Sequence, residues 1–249
     1  MHIPDHFLNS GAAGSLMGMA AAAVGFAVTK VRSAFLEKVP ALRARLATFP
    51  NIGGENGMSL RSRLSKYGRE KMWRMAVVGS FIFSAQMLNF PVGKEMSGHM
   101  LGGVLAAIII GPLEALIVFA VVLAMQALLL GDGGLLALGA NIVNLGVIGA
   151  VGGYAYFQFL NGNRKDEKRY FLIRAFVAAW LSVIFAAICA SVEIAFSGVQ
   201  TLWAILPSMV LVHTVIGLFE GAITALILAL LIRQHYPLEA LDEEKTYGE

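Results

Sequence analysis

Apolar residues run along this chain in long blocks, separated by short polar stretches and by one long one. A helix needs about 20 apolar residues to cross a bilayer, fewer where it is short and enclosed by its neighbours. On that measure seven segments stand out, at about 8–30, 73–90, 98–111, 113–130, 135–160, 171–197 and 205–233. The third is short and stops at Gly111-Pro112, a breaker pair that predicts a tight connection to the fourth. The pattern predicts an all-α integral membrane protein of about seven transmembrane helices, with residues 1–249 forming a single polytopic membrane domain. The long polar stretch, at about 31–72, is a basic insertion with Pro40, Pro50 and a Gly53-Gly54 turn. Its first half, KVRSAFLEKVPALRARL, reads either as a solvated loop or as an amphipathic piece on anionic lipid.

Composition agrees with the blocks. Hydrophobic residues make up 57% of the chain and charged residues 14%, which excludes a soluble domain and a disordered chain. The net charge of +3 does not point to nucleic acid, because basic loops in a membrane protein report topology. Eleven Lys and Arg lie between Lys30 and Arg74 inclusive, and Arg164, Lys165, Lys168 and Arg169 follow the fifth block. With these loops on the inner side, only Lys94 of the nineteen Lys and Arg falls outside. The expected topology is an outer N-terminus and an inner C-terminus. The leading MHIPDHF has no Lys or Arg and carries Asp5, so the first block reads as a retained helix rather than a cleaved signal. Its small residues include Gly14 and Gly18 at GxxxG spacing, repeated at Gly149/Gly153 and Gly217/Gly221. That spacing lets helices approach closely, within the chain or against a membrane partner. The one cysteine, Cys189, allows neither an internal disulfide nor a thiolate cluster.

The chemistry concentrates at the expected outer face. A histidine at position 2 lets the α-amine of Met1, the amide nitrogen of His2 and the His2 imidazole close fused chelate rings on one ion. Planar nitrogen coordination of this kind favours Ni(II) or Cu(II). His99, within NFPVGKEMSGHMLGG at the start of the third block, is on the same face and offers a fourth nitrogen, or else serves as a hydrogen-bonded interfacial residue. Asp5, Ser97, Asp132, Asn141 and Asn144 are polar residues on or near that face. A ligating imidazole needs an acceptor to orient its ring, and Asp5 or an asparagine fits that role or holds the N-terminal segment in place. For Asp132 the plainer reading is a turn residue in GDGG. Asn141 and Asn144 share a helical face and read as partners of the outer loops rather than as ligands.

Four further ionisable residues lie in or beside the apolar blocks. His213 and Glu220 are seven apart, on one face of the last block, and intramembrane groups of this kind suggest a proton path. Glu193 and Glu114 read as boundary charges. The chain has no GxxxxGK[ST] phosphate loop, no HExxH and no nucleophile elbow, so it reads as a non-enzyme, with any ATP hydrolysis on another chain.

Three motifs together, MHIPD-FL at the N-terminus, FPVGKEMSGHMLGG and GDGGLLALGANIVNLGV, resemble the substrate-capture subunit of energy-coupling-factor nickel/cobalt transporters, the NikM/CbiM family. The resemblance covers roughly 1–30 and 73–235. It implies seven helices and Ni(II) or Co(II) as the transported substrate, with no catalytic cofactor. Carried over by motif, the metal ligands are Met1, His2 and His99. It also implies a bacterial or archaeal cell membrane, an energy-coupling membrane subunit, cytoplasmic ATPases and a small accessory membrane subunit as partners. Two features depart from the pattern. His6 stands where the family often has glycine, and the 31–72 insertion is longer than the usual link. From another class comes a self-sufficient proton-coupled metal transporter using His213 and Glu220; a purely structural subunit is a third reading.

Overall fold

A computed structural model describes residues 2–40, 60–88, 90–92, 96–161 and 168–238. Helix α1, Ser10–Phe35, starts where Asn9 accepts the Ala12 N–H at 2.8 Å, satisfying one of the free donors of a helix start. It runs past the expected end at residue 30. Strand β1, Leu36–Pro40, then pairs antiparallel with β2, Leu60–Leu64, with Leu36 opposite Leu64. Ser65 caps α2, Lys66–Gln86, by accepting the Gly68 N–H, and its hydroxyl donates to the Phe35 carbonyl. Gly68 lies so close to that turn that a Cβ there would sit 2.6 Å from the Phe35 oxygen.

These contacts correct the reading of the insertion. Residues 30–35 continue α1 and 36–40 are strand, so the start of the insertion is neither a plain loop nor a separate amphipathic piece. Residues 41–59 lie outside the described residues. The second helix also begins at Lys66, not near 73, because the ladder and the Ser65 cap start it early.

Helix α3, Gly103–Ile110, has all eight residues buried. At about 1.5 Å per residue it is far too short to cross a bilayer, and it sits enclosed by its neighbours. Gly111, with φ +95°, breaks it, and Pro112 opens α4, Pro112–Leu130, at the helix position where a missing N–H costs nothing. The breaker pair acts as expected. Helix α5, Leu138–Asn161, has widened π-type turns over Ile142–Gly152. Strands β3, Phe90–Val92, and β4, Met96–Gly98, form a small antiparallel pair ahead of α3. Helices α6, Lys168–Phe196, and α7, Leu202–Arg233, pack along each other.

Two of the three predicted small-residue pairs pack inside the chain. A Cβ at Gly217 or Gly221 would lie 2.9 Å from the carbonyl of Trp180 or Phe176, and Gly149 and Gly153 lie against Leu101 and Val104. Gly14 and Gly18 of α1 face open space.

Among the described residues each expected apolar segment overlaps one of the helices α1 to α7, and a short 3-10 turn at Asp5–Phe7 precedes them. By length and composition five of them qualify as membrane spans: α1, α4, α5, α6 and α7. Helix α3 fails on length, and α2 carries Lys66, Arg69, Glu70, Lys71 and Arg74 in its first half. Large apolar side chains such as Phe26, Phe185, Trp203, Leu211 and Leu226 are exposed on the outside of the bundle. That surface suits lipid, and the protein is a multi-pass membrane protein.

Candidate metal centre

The N-terminal segment is buried at one end of the bundle. Ile3, Phe7 and Leu8 anchor it in the apolar core. Asn141, on α5, holds it through both of its polar atoms: Oδ1 accepts the Ile3 N–H at 2.8 Å and Nδ2 donates to the Ile3 carbonyl at 3.2 Å. The same Nδ2 donates to the Gly133 carbonyl at 3.1 Å. One residue on from Pro4, the Asp5 carboxylate accepts the Ala137 N–H at 2.9 Å.

The 131–137 loop is shaped to receive this segment. Gly133 has φ +87°, and a Cβ there would lie 2.8 Å from Asn141 Nδ2 and 3.1 Å from the His2 Cβ. Gly134 has φ +64°, and a Cβ there would overlap the Asp5 carboxylate. Glycine is therefore required twice at each position, for backbone conformation and for space.

His2 is 4% exposed and His99 fully buried, with ring centroids 4.3 Å apart and planes tilted by 47°. Residues 97 positions apart thus meet in one pocket. His99 Nδ1 lies 3.0 Å from the Met100 carbonyl. A carbonyl only accepts, so Nδ1 carries the proton and Nε2 keeps its lone pair. Among the described residues that Nε2 is buried without a partner, as is Nε2 of His2. Buried polar atoms are ordinarily satisfied, and a buried imidazole lone pair with its other nitrogen fixed is a ready metal ligand.

Nδ1 of His2 lies 3.0 Å from Oδ2 of Asp132, a close contact without the alignment of a good hydrogen bond. Asp132 is therefore more than a turn residue. Burial lowers the pKa of His2 and lowers that of His99 further, while the contact with His2 holds the Asp132 carboxyl below its ordinary value. Both imidazoles are thus kept neutral, the form that binds metal. Among the described residues no three His, Cys, Asp or Glu side chains gather to hold an ion. Two imidazoles and backbone nitrogen are the donors at hand; Met1 lies outside the described residues.

His6 is exposed and its ring lies against Phe7, with centroids 4.5 Å apart. Ser97 is in β4, opposite Pro91. Asn144 donates to Glu193 Oε2 at 2.7 Å, joining α5 to α6. Glu114 is 3.8 Å from Lys71, which is 2% exposed despite its charge. His213 is buried, with Nδ1 2.8 Å from the Met209 carbonyl one turn back. Glu220 is buried and accepts the backbone N–H groups of Leu101 and Gly102. Gln86, unremarked in the sequence, is fully buried at the end of α2 and donates to the Leu101 carbonyl at 3.3 Å. A glutamine closing an apolar run was the available signal.

The structure is thus a helical membrane bundle enclosing two buried histidines, one of them on its N-terminal segment. The chain belongs to the CbiM family, cobalt uptake substrate-specific transmembrane region, whose pattern it matches over residues 57–238. A relative in Archaeoglobus fulgidus, provisionally named a fused nickel transport protein, NikMN, is 33% identical over 231 residues. That match covers 90% of this chain and 63% of the relative, so the chain spans less than two thirds of that protein. The cobalt transport protein CbiM of Acetoanaerobium sticklandii is 28% identical over 180 residues, 70% of this chain and 72% of its own. In fold, the chain resembles the crystal structure of a truncated transition metal transporter, with a TM-score of 0.75 and 23% identity. That likeness covers 95% of this chain and all of the other.

Proposed function

We propose that this chain is the substrate-capture subunit of an ATP-driven metal importer of the energy-coupling-factor type, taking up Ni(II) or Co(II) at the outer membrane face. The observation that carries the reading is the buried pair His2 and His99, 4.3 Å apart between ring centroids, with the lone pair of His99 Nε2 unused. The donors are the Met1 amine, the His2 amide nitrogen, the His2 imidazole and His99 Nε2. Nδ1 is the ring nitrogen of His2 near enough to its own amide nitrogen to share an ion with it. Metal entry therefore exchanges the Asp132 contact for a metal–nitrogen bond. The metal is cargo, and no resident cofactor is needed.

The bundle spans the membrane with the N-terminus outside and the C-terminus inside, α3 lying as a short enclosed rod within it, an arrangement supported by the distribution of Lys and Arg. The fold is one membrane domain, and the 31–72 insertion faces the cytoplasm. Transport requires an energy-coupling membrane subunit and cytoplasmic ATPases, with a small accessory membrane subunit beside them; the missing phosphate loop supports a separate ATPase. The relatives above come from a bacterium and an archaeon, which suits a cell membrane of that kind. Nickel is favoured over cobalt, because affinity at a nitrogen site rises in that order and a planar donor set suits Ni(II).

The experiment is Ni(II) uptake into vesicles with this chain alone and with its partner subunits and ATP. Uptake only in the complete system, abolished by His2→Ala or His99→Ala, is the expected result. Uptake by the chain alone down a proton gradient would replace this reading with the secondary transporter.

A further inference from the structure

Glu220 sits near the middle of α7, 1% exposed, in a mostly apolar helix whose other ionisable residues are His213 and Arg233. Its two carboxylate oxygens are divided between successive amides: Oε2 accepts the Leu101 N–H at 2.6 Å and Oε1 the Gly102 N–H at 2.9 Å. These amides stand at the start of α3, where a helix leaves N–H groups without internal partners. Gly102, the cap residue, has no side chain to satisfy them, and its φ of +76° sets the turn into the helix. The cap comes instead from a residue 118 positions further on. From the other side, Gln86 on α2 donates to the Leu101 carbonyl. Both backbone polar groups of Leu101 are thus held by side chains from distant helices.

His99 lies two residues before Leu101, and the carbonyl that fixes its tautomer belongs to Met100, between them. We propose that Glu220 is a positioning residue for metal capture: by gripping the Leu101 and Gly102 amides it sets the turn that presents His99 Nε2 to the ion. The role rests on the reading of His2 and His99 as ligands. Glu220 acts through His99 and does not touch the metal. A carboxylate is specifically suited to the place, because it accepts at both oxygens; a glutamine accepts at one and turns an N–H group toward the other amide.

The test compares wild-type full-length chain, Glu220→Gln, Glu220→Asp and His99→Ala in detergent, titrated with Ni(II). Affinity is read by calorimetry, coordination by visible absorption and folding by the melting temperature without metal. Glu220→Gln is expected to bind about 10–100-fold more weakly, the range typical when a partner supporting a ligand is lost. Its Ni(II) spectrum should shift toward that of His99→Ala, a sign of the lost fourth nitrogen that a merely structural residue would not give. Glu220→Asp, which keeps the charge on a shorter arm, should fall between. Wild-type affinity and spectrum in either folded variant would overturn the proposal. Loss of folding in both would make Glu220 a residue of the fold and overturn it as well. If the wild type fails to bind Ni(II), or if His99→Ala binds as it does, the metal site itself is wrong and the proposal falls with it.

Discussion

The two histidines reach one pocket by different supports. His2 rides on a short segment ahead of α1 with a single 3-10 turn at Asp5–Phe7, held by Asn141, by Asp5 on the Ala137 amide, and by the close fit of Gly133. His99 stands on a turn locked from two other helices, by Glu220 and Gln86. One half of the site is therefore a strap laid onto a loop and α5; the other is built into the bundle. The difference teaches that the strap half, which carries the proposed chelate, rests on local contacts, whereas the His99 half depends on the packing of α2, α3 and α7.

That contrast breaks most severely at the ligands. His99→Ala and His2→Ala are each expected to cut Ni(II) affinity by more than about 100-fold, beyond the range for supporting residues. Calorimetry on purified protein checks this, and binding within a few-fold of wild type in either variant would remove that half from the site.

The next effect falls on the strap. Asn141→Ala removes both bonds to Ile3, and affinity should drop about 10–100-fold while α2, α3 and α7 keep their stability. Limited proteolysis should then cut near the N-terminus before any other place. Equal protease resistance in the variant and the wild type would mean that the apolar anchors alone hold the strap.

Gly133→Ala sharpens the same point. Alanine at φ +87° costs about 1–3 kcal/mol in strain, and its Cβ would press on Asn141 and His2. A fall in Ni(II) affinity of about tenfold is expected, where 1.4 kcal/mol corresponds to a factor of ten. An alanine variant with native affinity would show that the loop has room to adjust.

The pH effect is gentler. Burial holds both histidines below the ordinary value of 6.5, so the neutral, metal-binding form persists at neutral pH. Protons compete as the pH falls through the lowered values, and the His2 amide proton that the metal displaces into solvent adds to the same direction. Capture should weaken progressively from neutral into clearly acidic solution. A flat affinity over that interval would contradict the amide-ligand arrangement.

Much of this arrangement was legible in the chain. The rods follow from apolar block length, and Gly111-Pro112 marks the break because glycine and proline act locally. The pairing of His2 and His99 followed from placing both on one membrane face. What escaped were contacts whose partners are remote in sequence. Glu220 looked like a proton-path residue because an intramembrane carboxylate announces only that it needs a partner, and nothing in the sequence names the Leu101 and Gly102 amides. Asp132 looked like an ordinary turn residue because its neighbour, His2, lies 130 positions away. The start of α2 was missed because charges at Lys66, Arg69 and Lys71 mask a helix to any reading based on apolarity. Lys71 itself is buried beside Glu114, a pairing that no local pattern reveals.

The central claim is that the chain's own N-terminus is part of the metal site. It is tested most directly by measuring Ni(II) and Co(II) content by mass spectrometry. Two C-terminally tagged forms are compared, one beginning at Met1 and one carrying a few extra residues ahead of it. Near-stoichiometric metal in the first and its loss in the second is the predicted result. Equal metal in both would contradict a terminal-amine ligand and leave the site to be rebuilt around His2, His99 and other side chains.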